Sequence, residues 1–113
     1  MSKIILVLPD GLRYDTAAAG MGYLRHVVEA KLASLYIVTG ELPSMSPPMD
    51  ETFHTGVPVS ARGIVSNQVV RLSAQPNTFG LTRQAGKSTA AAACCWFSGL
   101  YNRAQFDLYL SFF

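Results

Sequence analysis

The chain has 113 residues, half of them hydrophobic and only 14% charged, with a formal net charge of +2. That length supports one small domain with a single core, and so little charge is poor for an independent small body, so strands covered on both faces by a larger protein are expected. The nine Lys and Arg are scattered, which excludes the basic patch that a nucleic-acid polymer or a membrane surface would select.

Met1-Ser2-Lys3 leads into Ile4-Ile5-Leu6-Val7-Leu8, broken at once by Pro9-Asp10-Gly11. This run and residues 90–97 are too short to span a bilayer, and the first lacks the length and cleavage site of a signal peptide. A cytoplasmic location is expected. Residues 3–8 read instead as a strand buried on both faces. Residues 15–32 read as helix, with Met21, Leu24, Val27, Val28 and Leu32 at helical spacing, although Gly20 and Gly22 weaken its middle and can delay its start. A second strand is predicted over residues 35–39.

Pro47-Pro48 opens a short helix running to about Thr55, since proline is tolerated in a first turn, and Gly56-Val57-Pro58 ends it. Residues 64–73 alternate loosely and suggest short strands. Residues 77–84 read as a further helix, with Arg83 in its last turn and Gly86 as its stop. Residues 87–97 fit a buried strand, while their alanines leave a helix open. Cys94 and Cys95 are adjacent, which disfavours a disulfide framework, and both are expected to be buried in that strand. The tail from Ser98 to Phe113 shows no cap or stop signal and reads as a domain cut through. The order of elements predicts an α/β body with a largely parallel sheet and flanking helices. Residues 3–8, 35–39 and 88–96 should lie side by side.

Three positions could carry chemistry together. Asp10 follows the first strand, where open α/β sheets place their ligands. Ser46 lies at a helix mouth, where the dipole favours an anion. Asn67 offers an amide donor. A carboxylate to hold a metal, a hydroxyl whose pKa the metal lowers, and a donor for a phosphate oxygen would make a phosphoryl-transfer site. Each also has a plain structural reading: Asp10 as a turn residue, Ser46 as an N-cap and Asn67 as a left-handed turn residue.

The segment from Ile4 to Arg13 resembles the first strand of the nucleotide pyrophosphatase/phosphodiesterase branch of the alkaline phosphatase superfamily. In that family the strand closes on a zinc-binding Asp followed by Gly, an apolar residue and Arg. Pro43-Ser44-Met45-Ser46-Pro47-Pro48-Met49 resembles the nucleophile segment, Thr55-Gly56 the end of its helix, and Gly63-Ile64-Val65-Ser66-Asn67 the segment whose Asn binds the phosphoryl oxygen. The separations between Asp10, Ser46 and Asn67 agree with the family's without a gap. The resemblance implies an alkaline-phosphatase-like fold, of which residues 1–113 form the N-terminal part of a single catalytic domain. It also implies hydrolysis of a small phosphoester with Ser46 as nucleophile, Asn67 as donor, and Asp10 and Ser46 as ligands within a site for two divalent ions, zinc by resemblance.

The departures are specific. Pro47 stands where the family often has an aromatic residue, Met49 and Asp50 where an Asn-His pair commonly follows, and Arg62 where a His is usual. They bear on nucleotide preference more than on phosphoester chemistry, and a phosphomonoesterase or phosphonate hydrolase stays open. The family's later Asp and His ligands have no counterpart, and neither His26 nor His54 matches one. The chain alone is therefore expected to be inactive, and a non-catalytic fragment or binding module is the rival reading. Open strand edges, such as residues 90–96, would favour self-association. Gly86-Lys87-Ser88-Thr89 mimics the end of a P-loop, but Leu81 stands where that motif needs its first glycine. A helix stop followed by a strand accounts for it better, and a helix over residues 90–96 would reverse that choice.

Overall fold

The computed structural model describes residues 3–61 and 63–112, so Met1, Ser2, Arg62 and Phe113 lie outside the description. The chain divides into two compact units, Met1–Thr39 and Gly40–Phe113.

In the first unit the predicted helix is present as two, α1 (Tyr14–Gly20) and α2 (Gly22–Glu29). They part at Met21, whose φ of −90° and ψ of 80° are not helical, between the two glycines that the sequence places there. α2 stops before Leu32 because Lys31 takes a left-handed φ of 59°. The Lys31 N–H then donates to the Val28 carbonyl and the Leu32 N–H to the Val27 carbonyl, which closes the helix end.

Residues 3–8 and 35–39 are not strands. A strand holds only where its N–H and C=O groups meet a ladder partner, and among the described residues none pairs with either segment. Their side chains stay in the open: Ile4 is 92% exposed and Val38 78%. An apolar run states a need for cover but supplies no partner by itself.

The second unit begins with α3 (Ser46–Thr55), with a proline pair in its first turn. Gly56 ends it at a φ of 70°, its N–H donating to the Thr52 carbonyl. A single 3-10 turn follows at Val59–Ala61. Residues 64–73, predicted as short strands, form instead a turn at Ser66, where the Val69 N–H reaches the Ser66 carbonyl at 3.4 Å. Ile64 and Val70 nevertheless point into the core, which is what their apolar pattern encoded.

α4 (Thr78–Gln84) begins one residue after the predicted start, because Asn77 is its extended N-cap, and ends where predicted. The Asn77 side chain accepts from the N–H groups of Phe79 and Gly80 at 3.1 and 3.0 Å. At the other end Gly86, at a φ of 69°, donates to the Arg83 carbonyl and Lys87 to that of Thr82. This paired closure is why a glycine stands there. β1 (Ala90–Cys94) then begins, so the segment after the P-loop-like sequence is a strand.

The tail supplies what the sequence left unassigned. α5 (Phe97–Leu100), a 3-10 turn at Arg103–Gln105 and β2 (Leu108–Phe112) complete a strand–helix–strand unit. β1 and β2 pair in parallel, with Ala90 opposite Leu108 and Cys94 opposite Phe112; parallel neighbours need such a crossover of about a dozen residues. The expected mixed α/β architecture is present, with a sheet of two strands among the described residues. Cys94 is half-buried at the end of β1 and Cys95 is exposed in the following turn, so the expected burial of both does not occur; the strand ends one residue too early.

Ile64, Phe97, Leu100, Tyr101 and Phe106 form the core of this unit, and Ala91, Ala93 and Tyr109 on the inner face of the sheet pack against it. Burying side chains of this size stabilises by about 1.5–3 kcal/mol each. The other face of β2 leaves Leu108, Leu110 and Phe112 more than half exposed. Asp107 ties the sheet to α4. Its carboxylate accepts from the Thr89 N–H at 2.8 Å and forms an ion pair with Arg83, while its own N–H donates to the Thr89 carbonyl.

Candidate functional site

Ser46 is half-buried and is the first helical residue of α3. The preceding residue, Met45, is extended and takes the N-cap place, so Ser46 is not the cap that its bland reading supposed. The following two residues, Pro47 and Pro48, are buried and carry no N–H. Among the first three helical residues only Ser46 carries a backbone N–H. A charged ligand at this mouth would therefore depend on the helix dipole and on a metal more than on a cradle of backbone donors.

Asn67 is exposed in the Ser66–Val69 turn, where the Ser66 hydroxyl accepts from the Gln68 N–H at 3.3 Å. Gly63 enters this segment at a φ of 84°, and a Cβ there would come within 3.3 Å of the Arg71 guanidinium. Gly-Ile before the turn thus has a backbone reason independent of any ligand. Asp10 is exposed in the turn that ends the first extended run, followed by Gly11 at a φ of 69°. Asp10 belongs to the first unit, whereas Ser46 and Asn67 belong to the second. Arg62, one of the departures from the family pattern, lies outside the described residues.

Among the described residues no three His, Cys, Asp or Glu side chains cluster as a metal centre would require. His26 is exposed on α2. His54 has a role that apolar periodicity could not reveal, because α3 buries polar residues. Its inward face carries Glu51 and His54 beside the two prolines. The imidazole lies 4.6 Å from the Phe79 ring and 5.3 Å from that of Tyr101, and the His54 backbone carbonyl accepts from the Thr78 hydroxyl at 2.9 Å. Burial makes this ring harder to protonate than an ordinary histidine. The spacing Pro47, Glu51, His54 is that of one helix face, and this was the signal available.

Among the described residues two carboxylates are perturbed, both as structural ties. The Arg13 guanidinium beside Asp15, aided by the Thr16 N–H, holds Asp15 below the usual carboxylate value. The Thr89 N–H, and then Arg83, do the same to Asp107. A shallow cavity of about 90 Å³ in the first unit is lined by Ala17, Leu24, Val28 and Leu35, with the Arg25–Glu29 pair at its edge. It contains none of Asp10, Ser46 and Asn67. No helix of the described residues is long and apolar enough to cross a membrane.

Compared with protein-family models, curated proteins and solved structures, the chain matches none.

Proposed function

We propose that residues 1–113 are the N-terminal part of a metal-dependent phosphoesterase with an alkaline-phosphatase-like fold, hydrolysing a small phosphodiester or pyrophosphate in the cytoplasm. What carries the reading is the sequence register of Asp10, Ser46 and Asn67, one at a helix mouth and two in turns, each of the residue type its role needs. Asp10 and Ser46 would hold a divalent ion, zinc by resemblance, within a two-metal site. Such an ion lowers the pKa of a bound hydroxyl and neutralises charge on the phosphoryl group. The Ser46 oxygen attacks phosphorus, the ester oxygen leaves with a proton, and water then cleaves the phosphoseryl intermediate. Asn67 donates to a phosphoryl oxygen as charge develops.

A catalytic zinc takes about three protein ligands and a water. Asp10 and Ser46 supply two to one ion, so residues 1–113 alone should bind metal weakly and turn over no substrate. The same proposal includes self-association through open strand edges: β1 is paired on one edge only among the described residues, and Leu108, Leu110 and Phe112 stand exposed beside it. A non-catalytic fragment or binding module is the second reading, favoured by the lack of a three-ligand cluster among the described residues.

Acid-quenched mass spectrometry separates the two in the longer enzyme that the proposal requires. With zinc and an activated phosphodiester, a phosphoryl adduct should appear on Ser46 and vanish in Ser46→Ala, while Asn67→Ala slows turnover by a factor corresponding to about 3 kcal/mol. Unchanged turnover in Ser46→Ala would remove the nucleophile assignment.

A further inference from the structure

His54 does not belong to the proposed chemistry, yet it is one of the most enclosed polar side chains of the second unit, 6% exposed. Its ring meets three rings from other elements: Phe79 of α4 at 4.6 Å, Phe97 of α5 at 5.7 Å and Tyr101 at 5.3 Å. Nδ1 is buried and has no hydrogen-bond partner. A neutral imidazole can leave one nitrogen as a bare acceptor, whereas an imidazolium carries a proton on both. A buried cation with a donor facing aromatic carbon is a state that the fold does not accommodate.

The neighbouring elements offer little to compensate such a charge. On α3 itself Asp50 and Glu51 precede His54, and Glu51 shares its inward face; both take part in interactions, while burial alone sets the direction in which the His54 ring is shifted. On α4 the charged group is Arg83, paired with Asp107. α5 has none, and the Tyr101 hydroxyl after it donates to the Asp50 carbonyl at 2.9 Å. The Val59–Ala61 turn has none, and Arg103 of the next turn stands over the Tyr109 ring. None of these groups is hydrogen-bonded to Nδ1.

We infer that His54 is an acid-sensitive latch: as a neutral ring it closes the aromatic core and holds α3 against α4 and α5, and its protonation at mildly acidic pH releases α3. Release loosens two further ties from α3, the Thr78 hydroxyl on the His54 carbonyl and the Tyr101 hydroxyl on the Asp50 carbonyl. The sign follows from linkage. Burial lowers the proton affinity of His54 in the folded state, so the unfolded chain binds more protons below the ordinary histidine value of 6.5. The stabilisation is complete above that pH and declines as pH falls.

Hydrogen exchange on the whole 113-residue chain between pH 7.5 and 5 tests the latch. Once corrected for intrinsic rates, protection of the α3 amides should fall by up to about tenfold per pH unit below 6.5. His54→Phe, which keeps an aromatic ring without a titrating nitrogen, should remove that dependence, and His26→Gln, on the exposed face of α2, should leave it intact. Constant protection of α3 down to pH 5, or an unchanged pH dependence in His54→Phe, would overturn the inference. Should His54→Phe fail to fold, the ring resonances of wild-type His54 decide. They should stay neutral while α3 is protected and shift together with its loss, whereas a ring that protonates with α3 still protected would refute the latch.

Discussion

Gly99 is the position where a single methyl group should be felt most sharply. It lies in α5, its N–H donating to the Trp96 carbonyl, and a Cβ built there would stand 2.6 Å from Cγ1 of Val70. Carbon atoms in favourable contact sit about 3.5–4.0 Å apart, so Gly99→Ala requires Val70 or α5 to move by roughly 1 Å. Val70 cannot swing away easily, because a β-branched side chain has few χ1 options and its other side faces the core. Overpacking of this kind costs about 1–3 kcal/mol, and exchanging glycine for alanine in a helix returns about 0.5–1 kcal/mol. Taking the middle of each range, the net expectation is a loss of about 1 kcal/mol. Trp96, the one tryptophan of the chain, packs against the same core and reports on it by fluorescence. In urea the midpoint should drop by roughly 0.5–1 M. Val70→Ala in the Gly99→Ala background should cost less than it does alone, with a coupling of about 0.5 kcal/mol or more. A Gly99→Ala chain as stable as wild type, or a cycle with no coupling, would show that α5 does not press on Val70.

Asn77→Ala leaves the Phe79 and Gly80 N–H groups without their shared acceptor and should destabilise by about 1 kcal/mol in the same titration; no change would mean that α4 starts elsewhere. Asp107→Asn should lower stability at neutral pH. The Thr89 N–H and Arg83 depress the folded pKa of Asp107 below its ordinary 3.8, so the wild-type contribution is complete above that value and fades as pH falls towards the depressed one. The variant should lack this portion of acid sensitivity, and identical acid slopes of thermal unfolding below pH 4 would contradict the tie.

Local signals were legible wherever backbone chemistry decides alone. Asn77 and Gly86 mark both ends of α4, Pro47-Pro48 and Gly56 bracket α3, and Gly20 and Gly22 flank the break between α1 and α2. Signals that depend on a distant partner were not. Ile4 to Leu8 reads as a covered strand, but hydrophobicity states a need for cover and not what provides it; in the structure those residues stay exposed. β2 escaped notice because Leu108 to Phe112 follows no turn signal, and its parallel register with Ala90 to Cys94 is set across the chain rather than within it. His54 and Glu51 were missed for a related reason: periodicity counts apolar residues, and α3 turns polar ones inward. Of the candidate site, the helix that Ser46 opens was legible, whereas Asp10 and Asn67 sit in turns beside segments, 3–8 and 64–73, that read as strands and are not.

The central claim is that Asp10 and Ser46 serve one metal ion, and paramagnetic broadening tests it most directly. Manganese(II) suits oxygen ligands and can stand in for the hydrolytic ion. Titrated at millimolar concentration into the isotopically labelled 113-residue chain, it should broaden the amide signals of Asp10 and Ser46 together, and Asp10→Ala should abolish both effects. Broadening near only one of the two residues, or broadening at Ser46 that persists in Asp10→Ala, would contradict the account.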